Sequence, residues 1–67
     1  MTELRSSNLA SADYDPETRE MVIKFKSGAT YAYSNIDQST YDDLLTASSP
    51  GSYFARWIKD RHETRRL

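Results

Sequence analysis

The residues with the widest chemical scope crowd the last third of the chain: Arg56, Trp57, Lys59, Arg61, His62, Arg65 and Arg66. His62 is the only histidine, and there is no cysteine. Thiolate chemistry, disulfides and the commonest zinc ligand sets are therefore excluded. Ser48, Ser49 and Ser52 precede His62, but no Gly-x-Ser-x-Gly elbow presents a nucleophile. Asp13, Asp15, Glu17 and Glu20 gather around one turn. The Asp13-x-Asp15 spacing starts like a calcium loop and then lacks its glycine and distal glutamate. Asp42 and Asp43 are neighbours, so on a helix they point about 100° apart and cannot share a proton-transfer site. Gly28 and Gly51 stand alone, and neither opens a phosphate loop. The chain reads as a non-enzyme that needs no cofactor and no metal.

Binding chemistry is better represented. Aromatic residues make up 12% of the 67 residues, and five of them are tyrosines. The net charge of −1 hides an asymmetry. Residues 13–43 hold seven acids and three bases, a net of −4, whereas 44–67 hold five bases and two acids, a net of +3. A locally basic end beside aromatic rings is the chemistry that holds phosphates and stacks on bases. It equally describes a solvated helix with cations at its C-terminal end, or a protein-binding patch with Trp57 as anchor.

These side chains must be positioned by a small fold. A chain of this length buries only about 60% of the surface it exposes when unfolded, so most aromatics are needed for the core. Residues 8–14 read as a first strand, followed by a turn at Asp15-Pro16. Met21, Ile23 and Phe25 alternate with Glu20, Lys24 and Lys26, the pattern of a strand with one wet face. Ser27-Gly28 is a hairpin turn, and Tyr31 and Tyr33 share one face of a third strand. This predicts an antiparallel meander over 8–14, 20–26 and 29–34.

The period then lengthens. Tyr41, Leu44, Leu45 and Ser48 define one helical face, with a start between Asn35 and Ser39 and a capping-box-like Ser39…Asp42 pair. Ser49 followed by Pro50 begins a second helix that is expected to run to about Thr64. Tyr53, Phe54, Trp57 and Ile58 form its apolar arc, and Lys59, His62 and Arg66 cluster on a basic flank. The fold class is α+β, a three-stranded meander followed by two helices on one face.

The string Met21-x-Ile23-x-Phe25-x-x-Gly28-x-x-Tyr31-x-Tyr33-x-x-Ile36, followed by Tyr41-x-x-Leu44, Ala47-x-Ser49-x-Gly51 and Tyr53-Phe54-x-x-x-Ile58, resembles the KTSC domain. Ser6-Ser7-x-Leu9 and Tyr14-Asp15 fit the same pattern. The family is named for its occurrence at the C-terminus of some lysyl-tRNA synthetases. The resemblance implies a small α+β domain without established catalytic activity, and its synthetase setting points to RNA or protein contact. The family usually carries Pro where Asp37 stands and Asn where Ala55 stands.

The expected organisation is a polar leader over 1–5, one domain over 6–62 and a basic tail over 63–67. The expected function is contact with RNA or DNA through the basic second helix, with Arg56, Trp57, Lys59, His62, Arg65 and Arg66 as the binding residues. The alternative is a protein-protein interaction module, such as a small phage or bacterial accessory protein that modulates a host protein. No apolar run is long enough to cross a membrane as a helix, and the protein is expected in the cytoplasm. A monomer, or a weak homo-oligomer through a sheet edge, is expected.

Overall fold

The computed structural model describes residues 2–4, 7–59 and 61–67. Its elements run β1 (Thr2–Glu3), β2 (Leu9–Asp15), β3 (Glu20–Phe25), β4 (Thr30–Tyr33), α1 (Gln38–Thr46), α2 (Pro50–Trp57) and β5 (Thr64–Arg66). The strands form one antiparallel sheet in the order β1-β2-β3-β4-β5. The fold is α+β with two helices, as the periodicity predicts. The sheet, however, has five strands where the sequence pattern predicts three.

The two additional strands come from the chain ends. Residues 2 and 3 pair with Ala12 and Ser11, and Leu4 is buried in the core. The expected leader over 1–5 is thus part of the sheet where it is described; Met1 and Arg5, like Ser6 of the motif, lie outside the described residues. At the other end, the expected basic tail supplies β5. Each addition covers backbone donors and acceptors that the three-stranded meander would leave open along an edge.

The inner face of the sheet follows the register. Ala12, Ile23, Tyr31 and Arg66 lie in one row, and Tyr14, Met21, Tyr33 and Thr64 in the next. An irregularity between Leu9 and Ser11 rephases β2, so that Leu9 and Ala12 are both buried although an odd number of residues apart. The fully buried side chains Leu9, Met21, Ile23, Ile36, Leu44 and Ile58 join sheet and helices in one core. The outer face carries Asp13, Val22, Ala32 and Arg65 in one row, flanked by Ser11, Lys24 and Thr30 and by Asp15 and Glu20.

Helix α1 begins at Asp37, not in a Ser39 capping box. The Asp37 side chain does not cap the helix; its carboxylate pairs with the Arg19 guanidinium. Gln38 instead donates to Asp42 at 3.1 Å. Arg19 and Asn35 adopt positive φ angles of 59° and 57°, and the Arg19 carbonyl accepts the Ile36 N–H at 2.9 Å. Tyr14 stacks on Tyr41, with centroids 5.1 Å apart, and donates to the Ile36 carbonyl at 2.5 Å. These contacts fasten α1 to β2 and to the β2–β3 turn.

Helix α2 has Ser49 as N-cap residue and Pro50 in its first turn, as expected. The Ser49 hydroxyl donates to Ser52 at 3.0 Å and makes no capping bond. The helix ends at Trp57, not near Thr64. Ile58 and Lys59 both donate to the Phe54 carbonyl, at 3.0 and 2.9 Å, a closure that terminates a helix. The chain then turns back to lay β5 along β4.

Candidate binding cleft

The early end of α2 redistributes the expected binding residues. Lys59, His62, Arg65 and Arg66 lie beyond the helix, so the basic helical flank does not form. Strand periodicity governs the last two, and it sends them to opposite faces of the sheet. Arg65 pairs with Ala32 in register and its guanidinium donates to Glu20 at 3.1 Å on the outer face. Arg66 pairs with Tyr31, and its guanidinium carbon lies 6.0 Å from the Tyr31 ring centroid. Half-buried His62 donates through Nδ1 to the Ser34 carbonyl at 3.0 Å. The neighbouring Ser34 N–H donates to Glu63 at 3.0 Å, so this stretch works as a tether for β5.

Trp57 is 47% exposed and stands outside the core, contrary to its place in the expected apolar arc. The buried line of α2 is Pro50 and Phe54, continued by Ile58 at the cap. Trp57 lies on the flank of that line. The Arg61 guanidinium carbon sits 5.3 Å from its ring centroid. Arg56 and Trp57 line a shallow hollow with Tyr53 and three serines. Burial, followed by the charge and hydrogen bonding of Asp43, holds the Tyr53 hydroxyl above its usual pKa.

Lys59 belongs to a different surface. Between the β3–β4 hairpin, α2 and the start of β5 there is an open cleft of about 570 Å³. Phe25, Tyr31, Tyr33 and Phe54 line it. Their rings meet edge to face: Phe25 with Tyr31 at 5.7 Å, Phe25 with Phe54 at 5.7 Å, and Tyr33 with Phe54 at 5.3 Å between centroids. This is the preferred arrangement of aromatic quadrupoles, and it fixes the lining. Tyr33 and Phe54 are buried, whereas Phe25 and Tyr31 are half-buried. Desolvation, and then the charge of Tyr31, holds the Tyr33 hydroxyl above its usual pKa.

Polar groups surround the rings. Exposed Lys26 and Lys59 line the cleft from the hairpin and from the segment after α2. Neither forms an ion pair with a described residue, and no described carboxylate lines the cleft. Asn8, Ser27 and Thr64 supply amide and hydroxyl groups. Ala55 is exposed on the α2 side, at the position where the family pattern has Asn. Of the expected binding residues, the structure therefore brings Lys59 and Arg66 to this region, and places Arg56 and Trp57, Arg65, and His62 elsewhere.

Strand alternation in the sequence predicts Phe25 and Tyr31 in the core and Lys26 on the wet face, whereas all three line the cleft. The available signal was the number of aromatics: the fully buried set is aliphatic apart from Met21, so several rings remain half exposed. Among the described residues no group of His, Asp and Glu side chains is placed to hold a metal, and no helix is long and apolar enough to cross a membrane.

The comparisons agree with this architecture. The KTSC domain profile matches residues 5–62. A protein from Tsukamurella paurometabola is 36% identical over 61 residues, which is 91% of each chain. The lysine–tRNA ligase of Nostoc punctiforme is 33% identical over 54 residues, covering 81% of this chain and 10% of the ligase. The crystal structure of a KTSC domain protein from Yersinia pestis superposes with a TM-score of 0.95 at 29% identity, covering 98% of this chain and 93% of that one. The chain belongs to the KTSC domain family.

Proposed function

We propose that the protein is a non-catalytic module that binds nucleic acid, RNA foremost, through the cleft between the β3–β4 hairpin and α2. The observation that carries this reading is the combination of half-exposed Phe25 and Tyr31 with the cations Lys26 and Lys59 in a cleft that no described carboxylate lines. Arg66 adds a third cation above Tyr31. Aromatic faces offer stacking of bases and the cations offer phosphate contacts. The similarity to a segment of lysine–tRNA ligases supports RNA as the partner class. A cytoplasmic setting is part of the same reading.

Fluorescence anisotropy with a labelled RNA oligonucleotide tests it. With three cations engaged, log affinity should fall against log salt with a slope of about −2, since single strands release about 0.7 counterion per phosphate contacted. The Lys59→Ala, Arg66→Ala double variant should lose most of the binding. Absence of binding, or binding indifferent to salt, rejects the reading.

A second reading has its own observation. Trp57 is exposed, capped by Arg61 and adjacent to Arg56. Tryptophan and arginine dominate protein-interface energetics, so this flank of α2 suits a protein partner. A partner that co-purifies with the wild type and is lost in a folded Trp57→Ala variant would favour it.

A further inference from the structure

We infer that the cleft seats one unpaired nucleobase together with its flanking phosphates, so that the domain selects single strands over duplexes. The inference rests on the nucleic-acid reading and specifies the ligand.

The shape of the cleft points to one base. Its rings are recessed between the hairpin and α2, with Tyr33 and Phe54 at 4% and 6% exposure forming the depth of the cleft and Phe25 and Tyr31 partly open. A base inside a duplex keeps its faces stacked on its neighbours and cannot reach them; a splayed base can. The volume of about 570 Å³ lies within the range of small-ligand sites, in a protein only 28 × 23 × 22 Å across.

The polar groups are distributed as a strand requires. Lys26 approaches from the hairpin, Lys59 from beyond α2, and Arg66 from β5, so cations come from separate elements around the rings. Ser27 and Thr64 bring hydroxyl groups to the cleft that suit the edge of a base. The alternative platform for a duplex would be the outer face of the sheet. That face mixes Lys24 and Arg65 with Asp13, Asp15 and Glu20, and Arg65 is paired with Glu20. Such a face offers no continuous positive surface to a phosphate backbone.

The test compares a single-stranded RNA carrying 2-aminopurine, the same RNA annealed to its complement, and a nucleoside monophosphate. The single strand should bind at least about tenfold more tightly than the duplex, with quenching of 2-aminopurine as it stacks on the rings. Tyr31→Leu should cost about tenfold in single-strand affinity and remove the quenching, while Tyr31→Phe should retain both. Ala55→Phe fills the cleft from an exposed helix position and should block binding without touching the core, which keeps the test decisive if Tyr31→Leu does not fold. Equal affinity for the duplex overturns the inference and leaves the nucleic-acid reading standing, whereas single-strand binding that survives Ala55→Phe overturns both, because the contact would then lie outside the cleft. A monophosphate that competes as well as the strand assigns the cleft to a free nucleotide and overturns it too. No binding of any RNA defeats both.

Discussion

Arg65 and Arg66 are adjacent in the chain and serve opposite faces of the sheet: Arg65 donates to Glu20 on the outer face, and Arg66 lies over the Tyr31 ring beside the cleft. The separation follows from the period of a strand. On a helix the two residues would stand about 100° apart and could contribute to one basic flank.

That difference yields a paired prediction. Arg66→Ala should flatten the salt dependence of RNA binding by about 0.7 in slope, the contribution of one phosphate contact. Arg65→Ala should leave the slope unchanged. Its ion pair has side-chain exposures of 66% and 29%, so the loss in stability should stay below about 1 kcal/mol. Anisotropy titrations of both variants over a salt series decide the matter. Equal effects of the two arginines would mean that the cleft is not the contact surface.

The order of the central elements was legible because their periods are unambiguous. Met21, Ile23 and Phe25 could alternate only as a strand, and the strand observed is Glu20–Phe25. Ser49-Pro50 marked the start of α2 correctly. The end of α2 was hidden, because Arg61 and Arg65 continue the spacing of Phe54 and Ile58 and nothing local forbids a longer helix. The competing demand is tertiary: the open edge of β4 requires hydrogen-bond partners, and residues 64–66 provide them. The same demand draws residues 2 and 3 onto β2. The cleft was not legible because it depends on the departure of the chain after Trp57. That turn puts Lys59 and Thr64 among the cleft-lining residues with Tyr31 and Phe54, and strands Trp57 outside.

The β3–β4 hairpin carries Lys26 into the cleft and depends on Gly28. Its φ of +100° lies where side chains are disfavoured, while a Cβ added there would meet nothing within 4 Å. Any penalty is therefore conformational and not steric. Gly28→Ala should destabilise the domain by about 1 kcal/mol, the order of cost for an L-residue in left-handed backbone. Gly28→Val should cost more, because β-branching restricts the backbone further. Urea denaturation measures both. A stabilised Gly28→Ala protein would show that the turn relaxes to a negative φ.

Tyr33 makes the domain sensitive to alkali. Its hydroxyl titrates above the ordinary tyrosine value because burial penalises the phenolate, with the Tyr31 charge adding to the effect. The folded state therefore binds this proton more tightly than the unfolded chain does. The corresponding stability is complete below the unfolded value of about 10 and is lost as pH rises from there through the folded value. Absorbance of tyrosinate should show a late-titrating group that ionises together with loss of far-ultraviolet circular dichroism. Tyr33→Phe removes the titrating group while keeping the ring against Phe54, so the alkaline unfolding midpoint should move to higher pH. If the midpoint stays where it is, another group governs unfolding, and the phenol of Tyr33 is ionised without strain on the core.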